Sequence, residues 1–306
     1  MVGNILTLED ATKSGFGKDL WGFPDVINHP LRWEEVSLAL IDSTFKMDEG
    51  LAAEVSKAWE KTVAEAKAKG QSVFDAPKLR FEGIEWDNDK RVLIVYLSSG
   101  ITYSKHNVIR NKEGLPLTAY PTPMTINDLQ ETIDGYLLFG VRNVMVSDQA
   151  GGAVIGAGFH DPLKGKKGLE FPGGIFETAI KESLEETEYM DGHSPIVYPI
   201  SHKLMRAMTL VRGSNTDVTM GFYVPLNATS KQVALNRANK EYDEIIKVKN
   251  STLNLERLLN KGNLEGVETT DGFFGYNVPL ADHPIGVIEA FLNLREKLPR
   301  NGYYQH

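Results

Sequence analysis

The hydrophobic pattern changes period several times along the chain. Between Leu31 and Lys69 the apolar positions begin at Trp33, Val36, Leu38 and Leu40, then resume after Asp48 as Leu51, Val55, Trp59, Val63 and Ala66. Spacing by four places the later set on one face of an amphipathic helix, and the whole stretch is predicted helical in two segments, the second closed by Gly70. Glu54, Lys57, Glu60, Lys61, Glu65 and Lys67 fill the opposite face with mixed charge, as a solvated helix surface requires. From Lys78 the period falls to two. Leu79, Phe81, Ile84 and Trp86 lead to Asp87-Asn88-Asp89 and then to Val92 through Leu97, which predicts a hairpin. Residues 111–125 carry Gly114, Pro116, Pro121 and Pro123 and few long apolar runs. They are read as the boundary between a smaller N-terminal domain, 1–125, and a second domain, 126–306.

Beyond that boundary strands and helices interleave. Strands are expected at 136–141, 154–158, 205–211 and 219–226, and around 273–278. Helices are expected at 177–189, near 230–240, at 253–261 and at 284–298. The fold class is therefore α/β (α+β): a sandwich built on a mixed sheet, preceded by an α+β domain of two helices and a hairpin.

Composition narrows the field. The 306 residues are 42% hydrophobic, enough for a packed core, and carry 33 Lys+Arg against 41 Asp+Glu, a net charge of −8. That balance gives no basic footprint, so neither nucleic acid nor an anionic membrane is expected as a partner. Cysteine is absent, which removes disulfides, zinc–thiolate sites, thiol nucleophiles and iron–sulfur ligation. The first residues carry Glu9 and Asp10 and show neither a basic stretch nor an apolar core of a signal peptide. No apolar run approaches the roughly 20 residues of a spanning helix. A cytoplasmic location is the expectation.

The stretch richest in chemistry is Gly168-Leu-Glu-Phe-Pro-Gly-Gly-Ile-Phe-Glu177, followed by Thr178 through Thr187. Glu182, Glu185 and Glu186 stand at i, i+3 and i+4, on one helical face. Like charges so placed repel by roughly 0.2–0.5 kcal/mol per pair. A hard divalent cation, Mg²⁺ or Mn²⁺, would relieve them and bridge to substrate phosphates. An acidic surface helix is the plainer alternative for the trio alone. What distinguishes this one is its context: Leu169 and Phe171 end a predicted strand, and Pro172-Gly173-Gly174 turns directly into the acidic helix. Two glycines let backbone N–H groups approach a ligand at a helix N-terminus, which favours anions.

These residues resemble the box of the Nudix hydrolases, Gly-Gly-x-x-Glu followed by Arg-Glu-x-x-Glu-Glu. The matching text is Gly173-Gly174-Ile-Phe-Glu177 and, three residues on, Lys181-Glu182-Ser183-Leu184-Glu185-Glu186. It departs in a shortened connecting loop, in Lys181 for arginine and in Glu188 for glycine. The resemblance implies a Nudix-type α/β/α sandwich, with Glu182, Glu185 and Glu186 as metal-binding carboxylates and Gly173, Gly174, Glu177 and Lys181 on the substrate side. Asp134-Gly135 through Arg142-Asn143 looks like the strand that ends in an arginine near substrate, making Arg142 the phosphate contact. The segment Glu241-Tyr-Asp243-Glu244 resembles a downstream acidic stretch, so Glu241 and Glu244 are candidates for the late ligand or general base.

Phe74 through Phe81, then Gly100 to Tyr103, are similar to the two-domain members that hydrolyse UDP-glucose and UDP-galactose. The implied activity is metal-dependent cleavage of a nucleoside diphosphate linked to a second group, such as a UDP-sugar giving UMP and sugar 1-phosphate. ADP-ribose or a dinucleotide is an alternative substrate. A catalytically inactive Nudix-fold nucleotide sensor is a further alternative, which the shortened loop motivates. Oligomeric state is left open.

Weaker signals remain. Gly156-Ala-Gly158 lacks the third glycine of a dinucleotide loop and is read as strand. Lys164-Gly-Lys-Lys167 is a short basic loop that could meet a diphosphate. The seven histidines, His160, His193, His202 and His283 among them, show no metal-ligand spacing.

Overall fold

The computed structural model describes residues 29–68, 73, 75–110, 112–143, 151–154, 156–160, 174–197, 199–212, 217–236 and 241–299, with the backbone of 6–7 and 20–21. A 3-10 turn at Trp33–Glu35 runs straight into strand β1, Val36–Thr44. The first of the two expected helices is thus a strand. Val36 and Leu38 are buried while Ser37 and Ala39 are not, a period of two that the neighbouring Trp33 and Leu40 disguise. Pairing decides the outcome, because β1 lies parallel to a strand introduced below with Val36 opposite Leu93.

Helix α1, Glu49–Ala68, forms as expected and buries Val55 and Ala66; its expected terminator, Gly70, lies outside the described residues. The predicted hairpin is β2, Pro77–Asp87, and β3, Val92–Thr102, antiparallel. A short helix not foreseen, α2 at Tyr103–Ile109, follows at once. A four-stranded sheet results, in the order Leu6–Thr7, β2, β3, β1.

Strand β4, Met124–Glu131, starts directly after Pro123 and is buried at every residue. It escapes a pattern search because Thr125, Asn127, Asp128, Gln130 and Glu131 break the apolar rhythm. Then come β5 (Tyr136–Arg142), β6 (Ala153–Val154), β7 (Ala157–Phe159), helix α3 (Gly174–Glu186) and β8 (Thr187–Asp191). The single strand expected at 154–158 is therefore two short ones, and the helix expected to reach Tyr189 stops at Glu186, where the chain extends to pair with a later strand. Next are β9 (Arg206–Arg212), β10 (Val218–Pro225), β11 (Val233–Leu235) and β12 (Tyr242–Lys249). Of the helix expected near 230–240, only a 3-10 turn at Ser230–Gln232 exists before β11, which pairs with β8; residues 237–240 lie outside the described set. Helix α4 (Thr252–Lys261), the two-residue strands β13 (Glu268–Thr269) and β14 (Gly272–Phe273), and helix α5 (Asp282–Leu294) with a 3-10 turn at Arg295–Lys297 follow. The strand expected to reach Val278 ends at Phe273.

The large sheet runs β14-β13-β12-β5-β4-β10-β9, with Leu20–Trp21 beside β9, β6 on β5 and β7 on β4. It is mixed: β4 and β10 are parallel over their whole length, from Met124 opposite Val218 to Glu131 opposite Pro225, and its other pairs are antiparallel. On one face pack Ile175, Phe176 and Ala179 of α3; on the other, Leu255 and Leu258 of α4 with Val287, Ile288 and Phe291 of α5. This is the expected α/β/α sandwich. The core on the α3 side also includes Val36, Leu38, Phe81, Leu93, Val95 and Leu97, so one apolar cluster continues across residue 125.

Candidate functional site

Helix α3 is held to the sheet by apolar residues at its start and by polar ones at its end. Phe176 meets Phe222 edge-on at 4.8 Å, and Ile175 and Ala179 are fully buried beside it. Two turns further on, where the same face would carry an aliphatic residue in a simple amphipathic helix, stand Ser183 and Glu186. Ser183 donates from Oγ to Asp128 Oδ2 at 2.7 Å and accepts from Gln130 Nε2 at 3.2 Å. Tyr189 closes the chain by donating to Gln130 Oε1 at 2.9 Å. Asp128 and Gln130 belong to β4, so a buried polar relay rivets the end of the helix to the central strand.

Glu186 is 6% exposed and accepts from the Tyr242 hydroxyl at 2.8 Å and from the Ala157 N–H at 3.5 Å. Burial pushes its carboxyl well above the ordinary range, against the Tyr242 hydrogen bond, and the nearby charges of Glu182, Glu241 and Asp128 push it further. Asp128 behaves alike: burial raises it, Ser183 opposes, and Glu182 adds to the rise. Its Oδ1 is buried with no hydrogen-bond partner among the described residues. Burial likewise raises the Tyr242 phenol, so that group stays a donor at neutral pH. Three carboxyl groups, those of Glu182, Glu186 and Glu241, crowd one another here with Asp128 behind them, and a positive charge would favour their ionised forms.

Close approach of the helix depends on two glycines. A Cβ at Gly158 would lie 2.3 Å from Glu182 Cδ, and one at Gly156 would lie 3.0 Å from Gln130 Nε2 and 3.2 Å from Glu186 Oε2. Gly156-Ala-Gly158 is thus the seat on which both carboxylates rest. In the same way Gly140 leaves room for the Tyr242 ring, 2.5 Å from where its Cβ would stand.

The expected site residues are distributed as follows. Glu186 faces inward, Glu182 lies at the rim with its side chain 18% exposed, and Glu185 points outward, its carboxylate 3.5 Å from Lys181 Nζ. Among the described residues, no three His, Asp or Glu side chains meet at a point where they would hold a metal ion. Glu241 stands close enough to Glu186 to raise its carboxyl, and its own carboxylate is 3.4 Å from Arg142 Nη2. Arg142 lies 5.9 Å over the Tyr242 ring, with its Nε buried and without a partner among the described residues. Glu244 is elsewhere, on the wall of a second cleft, and Glu177 is exposed on the outer face of α3. Gly174 is buried at the helix start; Gly173, the strand end expected at Leu169 to Phe171 and the basic 164–167 segment lie outside the described residues. His160 Nδ1 is 2.7 Å from Thr178 Oγ1 and His283 faces Asp217 at 3.2 Å, which accounts for two of the buried histidines.

Sequence reasoning missed Asp128, Gln130, Ser183 and Tyr242. Gly-x-Gly on a short strand before the acidic helix was the one visible pointer to the seat; Asp128 had none.

The donors present are hard carboxylate oxygens with one buried oxygen unpartnered, the chemistry that suits Mg²⁺ or Mn²⁺. No family model matches the chain, and no curated protein does. Solved structures overlap it in part. A NUDIX hydrolase from Alicyclobacillus acidocaldarius is 13% identical with a TM-score of 0.37, over 55% of this chain and 90% of that one. A MutT protein from Methanosarcina mazei is 15% identical with a TM-score of 0.33, over 57% and 95%. A bifunctional NMN adenylyltransferase/ADP ribose pyrophosphatase from Francisella tularensis, complexed with AMP and a manganese ion, is 13% identical with a TM-score of 0.37, over 62% and 45%.

Proposed function

We propose that the chain is a Nudix-type, divalent-metal-dependent pyrophosphohydrolase acting on a nucleoside diphosphate linked to a second group. The observation that carries this reading is Glu186: a carboxylate buried on the acidic helix, held by Tyr242 and crowded by Glu182, Glu241 and Asp128. Acids buried together against a packed helix ionise only at a cost unless something of opposite sign belongs there.

Glu182 and Glu186 would hold the cation, with Glu185 joining from the outer turn by exchanging Lys181 for it. The cation would supply positive charge to the diphosphate and acidify a water. Tyr242 fixes the orientation of Glu186 through its hydroxyl. Arg142 stands 3.4 Å from Glu241, and its fork suits phosphate oxygens. Glu241, at the same edge, is the group we assign to take a proton from the attacking water. Glu244 is withdrawn from that role in this reading, since it lines the other cleft. A UDP-sugar and ADP-ribose both satisfy the diphosphate chemistry.

The test is product release from UDP-glucose and from ADP-ribose by the purified protein with Mg²⁺ or Mn²⁺. Metal-dependent UMP or AMP is expected, and Glu186→Gln should lower turnover by at least about 100-fold, the order seen when a preorganised electrostatic group is removed. Undiminished turnover in that variant would overturn the assignment. A second reading, a nucleotide-binding protein that does not hydrolyse, is favoured by the absence of three converging ligands among the described residues. Saturable substrate binding without product would select it.

A further inference from the structure

A second cleft, of about 660 Å³, opens beside β12, within the size range of small-molecule sites. We propose that it binds the aromatic heterocycle of a nucleoside, stacked on Phe273 and Tyr276. Those two rings are 76% and 75% exposed and both line this one cleft. Two large aromatic faces left in water at one cavity mark a place where apolar area is to be covered, and a planar heterocycle covers it by stacking.

The rings are not loosely held. Phe274 is half-buried against the α4/α5 core and meets Tyr276 edge-on at 5.7 Å, so the half-buried ring sets the attitude of the exposed one. Backbone pairing continues past β14, with the Phe274 N–H donating to Val267 O at 2.9 Å. The turn between β13 and β14 is tied by Thr269 Oγ1 donating to Gly272 O at 2.8 Å and the Asp271 N–H donating to Thr269 Oγ1 at 3.2 Å.

The opposite wall is equally fixed. Asp134 accepts from the Ser230 N–H and hydroxyl, both at 2.7 Å. Lys247, rising from the floor, donates to the carbonyls of Ser230 and, at 2.7 Å, of Val233. A cavity whose walls are ordered before a ligand arrives loses little entropy on binding. Thr269, Thr270 and Asp271 supply hydroxyl and carboxylate groups along the cleft, suited to heterocycle edges and ribose hydroxyls.

The placement adds a reason to choose a nucleoside. Tyr136, Leu138, Gly140, Ile245 and Lys247 share one sheet face through the β5–β12 register, and it is the face on which Glu186 lies. Ile245 lines both this cleft and the cavity of about 20 Å³ beside Glu186. Naming the heterocycle a nucleoside rests on the diphosphate reading above, whereas the stacking site itself rests on the two rings and the cleft.

The experiment uses adenosine and uridine, which carry no phosphate, titrated into the full chain without metal and followed by calorimetry and by saturation-transfer NMR. Binding of at least one is expected, weakened about tenfold or more in the Phe273→Ala/Tyr276→Ala double variant and unchanged in Leu253→Ala, an exposed apolar position outside the cleft. Both rings are surface residues, and an unchanged melting temperature verifies the fold of the variant. If neither nucleoside binds, or binding survives the double substitution, the proposal is overturned. Failure of hydrolysis with nucleoside binding intact would overturn the pyrophosphatase reading and leave the cleft standing.

Discussion

Glu186 and Asp128 keep protons in the folded chain at a pH where ordinary carboxyls have lost them, because burial and neighbouring acids raise both. Between the ordinary and the raised value the folded state binds more protons than the unfolded one. Stability contributed by these groups therefore falls as pH rises through that window. Asp217, which burial would raise but which His283 and His106 hold below the ordinary value, acts in the opposite sense, and its contribution is lost only as pH falls below the ordinary aspartate range. In chelator, the melting temperature should decline as pH rises above the ordinary carboxylate range. Glu186→Gln keeps an oxygen for Tyr242 while removing the charge, so it should flatten that decline and melt a few degrees higher at the alkaline end. Thermal melts of the two proteins across that range decide the matter; parallel curves would show that Glu186 is ionised without penalty. The same variant that gains stability should lose turnover, the trade expected where a destabilising charge is kept for chemistry.

The acidic helix shows how much an element owes to what it rests on. Substitution Gly158→Ala would put a methyl group 2.3–2.5 Å from the Cδ, Cγ and Oε2 atoms of Glu182. Because the clash falls on a flexible side chain rather than on backbone, the fold should survive with stability changed by no more than about 1 kcal/mol, while Glu182 is displaced. Manganese binding followed by electron paramagnetic resonance should weaken markedly, and unchanged binding would separate Glu182 from the cation. Ser183→Ala should do the reverse, leaving Asp128 and Gln130 each short of a partner and costing about 1–3 kcal/mol in denaturant unfolding.

How far such elements can be read in advance depends on where their information lies. The Asp87–Asp89 turn and the spacing by four from Leu51 to Ala66 are local, and the hairpin and α1 follow from them. The glycine pair before an acidic run was also legible as a candidate site. β1 was not, because Trp33, Val36 and Leu40 also fit a helical stripe and only pairing with β3 decides against it. Nor was β4, whose Asp128, Gln130 and Glu131 are buried because partners from Ser183, Tyr189, Tyr223 and Asn250, 50 to 120 residues away, satisfy them. Tyr242 became part of the site through a β-bulge between it and Glu244, which no residue pattern announces.

At the scale of the whole molecule, the N-terminal sheet and the acidic helix share one apolar cluster. Phe81, Leu93, Val95 and Leu97 stand in it beside Ile175, Phe176 and Met220, all at most 2% exposed. Removing the sheet would strip cover from the face of α3 that carries Ile175 and Ala179, and the seat of Glu186 depends on that packing. We therefore propose that 1–125 and 126–306, although distinct in sequence pattern, unfold together. The chain offers a clean way to test this, since its four tryptophans, Trp21, Trp33, Trp59 and Trp86, all precede residue 90. Trp21 pairs beside β9 and Trp33 lies 6.1 Å from His202, so with those two replaced by phenylalanine the emission of Trp59 and Trp86 reports the N-terminal part, while helical circular dichroism draws on α3, α4 and α5 as well as α1. Coincident urea midpoints for the two signals are expected of a single cooperative unit. Phe176→Ala, which removes the ring packed at 4.8 Å on Phe222, should lower both midpoints together by an amount equivalent to about 3–5 kcal/mol. An emission midpoint that stays in place while the dichroism midpoint falls would show two independent units, and the N-terminal sheet would then be an accessory to the site rather than part of its foundation.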